Sequence, residues 1–350
     1  MIFMQQKRVS VKDIAARLHI SLSTVHKALT GKTGVSEARR EQVLEVAREL
    51  GYVVNTAAQS LARKDMTLGI ILPSQWQEYF AELKDGMEGE ISSLSEMRLR
   101  GELFYINDNS TVNEIQDWIK NCGADLLLIC SSNAKLKNTL LRATESLPVP
   151  VFRVGGGVDN PNSVCDVTID APLSGQLAAD FLYCVKGTNM RAAVFTGSLD
   201  TDIHRAKTDA FNERTSVLGG RIVSICETDD NEALAYKKVC ELFRQHPDTN
   251  CIYINTSTSK SVCKYIEENL LAGKVTVVGT DVYDELCENM KRGIMQATIY
   301  QNQQKVGRLS VRCAYEYLYS KNSYGSCDKN QERNVLISPT LLLRANIEQR

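Results

Sequence analysis

Along the first sixty-six residues, apolar positions recur at helical spacing. Ser10 opens a capping box with Asp13 three residues on, and Val11, Ile14, Ala15 and Leu18 follow on one face. The pattern breaks at His19-Ile20. Ser21 caps a second helix with Val25, Ala28 and Leu29 inward, ended by Gly31. Ser36 caps a third, with Val43, Val46, Ala47 and Leu50 inward and Gly51 at its C-terminal end. Three short helices with a tight turn between the first two follow the helix-turn-helix plan.

From Met66 the texture changes. Apolar runs at 68–73, 102–106, 125–130, 150–154, 192–197, 221–226, 251–255, 275–280 and 296–300 read as strands. Between them, helical stretches fall at about 79–97, 111–121, 171–186, 205–217, 231–245, 258–271 and 303–319. This alternation predicts βαβ units and parallel sheets covered by helices on both faces. So many strands over this length predict two α/β subdomains rather than one sheet. The cleft between them, outside the carboxyl ends of the strands, is the expected ligand site.

Composition adds three things. The 350 residues suit two or three domains, and no apolar run reaches the ~18 residues of a membrane span. The start, MIFMQQKRVS, lacks the pattern of a signal peptide, so a cytoplasmic protein without a membrane partner is expected. Eleven Cys are scattered without a CxxC pair, which predicts buried reduced thiols and no metal site. Four dispersed His complete no nucleophile–base pair or paired-carboxylate site, so neither an enzyme nor a cofactor is expected. The net charge of −1 hides an asymmetry. Residues 1–66 hold eleven Lys and Arg against six Asp and Glu, whereas the remainder holds 30 against 36. A basic N-terminal piece on an acidic body points to a polyanion partner.

On the second helix Leu22, Ser23, His26 and Lys27 are left facing outward, where they can reach base edges in a major groove. A three-helix module that binds protein is the other reading of these residues. The stretch "VSVKDIAARLHISLSTVHKALTGKTGVSEARREQVLEVARELGYVVNTAAQSLARK" resembles the N-terminal module of the lactose/galactose-repressor (LacI/GalR) family. The match lies in its V-K-D-I-A start, S-x-x-T-V core, V-S-x-x-x-R block and L-G-Y-x-x-N ending. The resemblance implies that Leu22, Ser23, Thr24, His26 and Lys27 contact DNA. It also implies a hinge helix over 56–62, capped by Asn55, that forms on the operator. There Leu61 wedges into the minor groove and Ala58 allows close approach. Two departures stand out: His19 occupies the turn position where the family commonly has Gly, and His26-Lys27 replace the common Ser and Arg.

The larger region resembles the type I periplasmic-binding-protein fold of sugar-binding proteins. "VVGTDVYDELCENMKRGIMQATIYQNQQKVGRLSVRCAYEYL" is especially similar to the ribose-type branch. Carried over residue by residue, the resemblance implies ligand contacts from Tyr79 and Phe80, an aromatic pair that sandwiches a sugar ring. It adds Asn255, Asp281, Gln301, and Lys207 where an Arg is usual. His204 lies one helical turn before Lys207 and is read either as a ligand contact or as a structural or solvent-facing residue. Tyr79 and Phe80 have ordinary core as their alternative, and Asp281 has the capping of a helix near Tyr283. Gly155-Gly156 stand where the family often has an Asp-Arg pair, which leaves room for a larger ligand or for backbone approach to an anion.

The expected architecture is an all-α helix-turn-helix domain (8–54), a hinge helix and linker (55–66) and an α/β effector domain of two Rossmann-like subdomains (67–350). The N-subdomain covers about 67–170 and 300–321, and the C-subdomain about 171–299 and 322–350, with chain crossings near 170, 299 and 322. The expected function is a homodimeric repressor of a double-stranded DNA operator, controlled by a small-molecule effector. A carbohydrate is the first ligand class and a purine-type corepressor the second; a ligand-binding sensor without a DNA role is the alternative.

Overall fold

The computed structural model describes residues 9–29, 34–50, 52, 65–74, 77–130, 134–156, 160–324 and 333–347. The hinge residues Asn55, Ala58 and Leu61 lie outside the described residues, as do Gly31, Gly51 and Cys327.

The N-terminal module consists of α1 (Val11–Leu18), α2 (Leu22–Leu29) and α3 (Glu37–Glu49). Asp13 accepts from the Ser10 N–H at 2.7 Å and its hydroxyl at 2.6 Å, tying down the start of α1. His19 turns the chain in the left-handed region, at φ 51°, a conformation His adopts at modest cost. Ser21 Oγ accepts from the Thr24 N–H at 3.1 Å and so caps α2. Ser36 stands at the N-cap of α3 but gives it no side-chain cap bond. Ile14, Val25 and Val43 are fully buried at the centre, each burial contributing roughly 1.5–3 kcal/mol.

The body holds two six-stranded sheets. The first contains β1 (Met66–Pro73), β2 (Leu99–Ile106), β3 (Leu126–Ile129), β4 (Val151–Val154), β5 (Ser163–Ile169) and β11 (Arg333–Ile337), in the order β11-β5-β4-β3-β1-β2. All its described pairings are parallel. The second contains β6 (Arg191–Thr196), β7 (Arg221–Glu227), β8 (Cys251–Ile254), β9 (Thr276–Thr280), β10 (Ala297–Tyr300) and β12 (Thr340–Leu343), in the order β12-β10-β9-β8-β6-β7. Only β12 runs antiparallel to its neighbour. Each sheet has a core on both faces, as parallel sheets require.

Ten helices accompany the sheets among the described residues: α4 (Gln77–Ser93), α5 (Val112–Cys122), α6 (Ala134–Thr144), α7 (Ala171–Lys186), α8 (Asp202–Val217), α9 (Glu232–Gln245), α10 (Ser259–Glu268), α11 (Asp284–Lys291), α12 (Gln303–Tyr324) and the short α13 (Arg344–Ile347). α12 packs on α4 in the first lobe, and α7 packs on α8 in the second. The latter approach depends on Gly175, where a Cβ would stand 2.2 Å from the Lys207 carbonyl oxygen. That close crossing sets the depth of Lys207.

The chain passes to the second sheet between β5 and β6 and returns between β10 and α12. The third crossing differs from the expectation near 322. β11 pairs with β5 in the first lobe over Arg333–Ile337, so the third crossing lies at the β11–β12 link, 338–339. Three strands, β5, β11 and β12, were not among the expected runs. Ten Cys in the described residues are free thiols; Cys184 is exposed, unlike the buried Cys130, Cys165, Cys226, Cys251 and Cys263.

Candidate ligand cleft and nucleic-acid interface

A cavity of about 140 Å³ opens between the lobes, bounded by the strand-end loops of both sheets. All seven residues expected at the effector site line it: Tyr79, Phe80, His204, Lys207, Asn255, Asp281 and Gln301.

The centre of the site is one hydrogen-bonded chain. Lys207 Nζ donates to Gln301 Oε1 at 2.7 Å. Gln301 Nε2 donates to both carboxylate oxygens of Asp281, at 2.7 and 2.8 Å, and Gln303 Nε2 donates to Oδ1 at 2.6 Å. Asp281 sits at φ 70°, held by its N–H on Ile299 O and by Thr298 Oγ1, which donates to its carbonyl. Aspartate adopts this left-handed region more readily than most residues, and the two hydrogen bonds hold it there. Asp281 does not cap α11, whose N-cap is Tyr283.

The electrostatics follow from burial. Lys207 is 2% exposed, and loss of hydration brings its pKa down to about 8, with Asp281 and Asp230 opposing the fall. The same desolvation, then the nearby Lys207 charge, takes His204 down to about 3, so its imidazole is neutral near pH 7. Burial raises Asp281 and Asp230, and in each case the Lys207 charge counteracts it.

His204 is half-buried and lines the cavity. Its ring packs on Gly197, where a Cβ would come within 2.2 Å of Cε1. Asn255 Nδ2 donates to Thr208 Oγ1 at 2.9 Å, leaving Oδ1 buried and without a partner among the described residues.

Two expectations change here. Tyr79 and Phe80 pack edge to face, centroids 5.0 Å apart at 85°, so they form one aromatic wall and leave no slot for a ring between them. The Gly155-Gly156 pair does not open extra room. Gly156, at φ 77°, makes way for Ile203 from the opposite lobe, whose Cδ1 would be 2.7 Å from a Cβ there. The Gly155 N–H is spent on Val167 O at 2.9 Å, so it is not free for an anion.

Sequence reasoning missed Asp230, Thr256, Ser257, Thr280 and Thr201, which also line the cavity. They occupy loops, strand ends and a helix-start cap, where no periodicity marks a residue. The run Asp229-Asp230, both at positive φ (48° and 52°), was the available signal.

On the N-terminal module, Leu22, Ser23, His26 and Lys27 are exposed and Thr24 is half-buried, while Val25 and Ala28 face the core. Leu22 is 48% exposed, free to make an apolar contact such as one with a thymine methyl.

Comparison with known proteins places both regions. Residues 10–55 match the model described as "Bacterial regulatory proteins, lacI family", and residues 68–322 match "Periplasmic binding protein domain". The chain is 26% identical over 200 residues to catabolite control protein A of Priestia megaterium, covering 57% of this chain and only 58% of that relative. To the HTH-type transcriptional repressor PurR of Aliivibrio fischeri it is 23% identical over 356 residues, covering 97% of this chain and 99% of the relative. A solved periplasmic ribose ABC transporter of Conexibacter woesei shares the fold at a TM-score of 0.70 and 18% identity, over 82% of this chain and 95% of that one. The larger match covers well over half of the chain, so the chain belongs to the periplasmic-binding-protein domain family, and a helix-turn-helix segment matching the lacI family of bacterial regulatory proteins leads that domain.

Proposed function

We propose that the protein is a transcriptional repressor that binds double-stranded operator DNA as a homodimer, and whose affinity is set by a small carbohydrate or sugar derivative held between the lobes. The carrying observation is the cavity itself: an aromatic wall from one lobe faces a polar wall from the other, with Gln301 beside the crossover. Such a site buries the C–H face of a polyol against Tyr79 and Phe80 while Asp281, Asn255 and Lys207 meet its hydroxyls. A ligand bridging both lobes favours their closed arrangement. Any coupling to DNA is then the difference in DNA affinity between the two arrangements. The exposed face of α2 and the basic excess in residues 1–66 support the DNA role.

The test is a gel shift on DNA flanking the protein's own gene, with monosaccharides and nucleobases added in turn. The expected result is a complex that weakens steeply with salt, as counterion release dictates, and whose amount changes with a sugar. Salt-independent retention counts against the DNA reading. A response to a nucleobase alone counts against the carbohydrate.

A further inference from the structure

The charges around the cavity do not balance. Asp281 and Asp230 line it, and Glu82 of α4 stands close enough to raise the Asp281 pKa further. Against the two lining carboxylates, Lys207 is the one cationic side chain among the described lining residues, and its Nζ already serves Gln301. His204 is neutral.

Hydrogen-bonding capacity is lopsided in the same sense. The Asp281 carboxylate is largely occupied by Gln301 and Gln303. Asp230 is not so occupied: its recorded support is one backbone hydrogen bond from Ser257 and the attraction of Lys207. Asn255 Oδ1 is an unpartnered acceptor on a residue 1% exposed, its amide nitrogen fixed on Thr208. The Thr256 hydroxyl beside it in sequence also lacks a partner. A site with spare acceptors and surplus negative charge is completed by a ligand that brings donors and positive charge.

We propose that the ligand carries a cationic amino group, as an amino sugar or an aminated cyclitol does, seated against the Asp230 carboxylate with Asn255 Oδ1 as a further acceptor. This rests on the carbohydrate reading above and narrows it. The same charge count rejects sugar phosphates and sugar acids, whose anion would meet Asp230 and Asp281 with only Lys207 to offset them.

The experiment is calorimetry and thermal shift on the full chain at pH 6.5. The probes are glucose and galactose, their 2-amino-2-deoxy forms, the N-acetyl forms and the 6-phosphates. An amino sugar is expected to bind about tenfold or more tighter than its neutral parent. N-acetylation, which removes the charge, should abolish that advantage, and Asp230→Asn should bring the amino-to-neutral ratio close to one. A neutral sugar that binds as tightly as its amine overturns this inference and leaves the carbohydrate reading standing, as does an unchanged ratio in Asp230→Asn. If no member of the set binds, the carbohydrate reading falls and this inference falls with it.

Discussion

The two lobes share one strand order but contribute opposite chemistry to the cleft. The first gives Tyr79, Phe80, Leu83, Val154 and Gly155, an almost wholly apolar wall. The second gives His204, Lys207, Asp230, Asn255, Thr256, Ser257 and Asp281, nearly all the polar groups. If the cleft takes the proposed ligand, equal folds divide the work of recognition. Orientation and hydrogen bonding reside on the second lobe, and closure adds burial on the first. The Gly155-Gly156 pair is where this division is made, because the position that could hold a polar anchor instead receives Ile203 of the other lobe. A ligand can dock on the polar lobe and then draw the apolar lobe over itself.

The strongest challenge to this division is Asp281→Asn. Asparagine tolerates the positive φ, so the change isolates the charge from the backbone. It turns one acceptor oxygen into a donor facing the Gln301 and Gln303 amides and leaves Lys207 less compensated. Ligand affinity should fall about a hundredfold, consistent with roughly 3 kcal/mol for a disrupted buried charged network, while ligand-free operator binding persists. A variant that titrates ligand normally by calorimetry would show that the second lobe does not hold the anchor.

His204 probes the same lobe through pH. Its folded pKa of about 3 lies below the ordinary 6.5, so the unfolded chain binds the extra proton between those values. The neutral ring's contribution to stability is therefore fully present above pH 6.5 and is lost as pH falls toward 3. Between pH 7 and pH 4.5 the wild type should lose about 2 kcal/mol that His204→Gln does not lose. Asp230 and Asp281, whose raised pKa values act in the opposite sense, are common to both proteins and cancel in the difference. Parallel denaturation curves at the two pH values would place His204 in water.

Gly156→Ala strikes the first lobe. At φ 77° an alanine is strained, and its Cβ would collide with Ile203. Closure should be penalised by about 1 kcal/mol, read as a fewfold to tenfold rise in the ligand's Kd. The DNA affinity of the ligand-free protein should be unaffected. A tighter ligand would mean that the cleft had been under-filled at this point.

Much of this was legible in the sequence where a residue sits in a patterned element. All nine expected strand runs are strands, Asn255, Asp281 and Gln301 fall on or beside them, and Lys207 falls on an expected helix. The three unforeseen strands have a common physical reason. β5 alternates partly exposed and buried positions around Asp166, paired with Arg153 at 3.5 Å. β11 lies at a sheet edge with Leu336 61% exposed, and β12 edges the other sheet. In each the apolar run is either broken, by Asp166 in β5, or limited to three residues, 335–337 in β11 and 341–343 in β12, short of the four or more in a central parallel strand. Missing β11 also misplaced the third crossing. Asp230 escaped notice because a loop residue at positive φ carries no periodic signal. The edge-to-face packing of Tyr79 on Phe80 and the reach of Ile203 into Gly156 are tertiary facts that no linear motif encodes.

The smallest expected effect is at the mouth of the cleft, where Lys137 of α6 meets Asp202 of α8 at 3.6 Å across the two lobes. This pair has no counterpart in the division between an anchoring and a covering wall, since it contributes one charge from each side. Asp202 is 76% exposed, so water and salt screen the attraction, and such pairs contribute about 0–1 kcal/mol. Lys137→Ala should therefore raise the ligand's Kd by less than about fivefold at low salt, and the change should vanish in concentrated salt. Because the pair forms only when the lobes are together, the loss should appear mainly as faster ligand release in stopped flow. An equal slowing of association would mean that Lys137 attracts the ligand and does not hold the lobes closed.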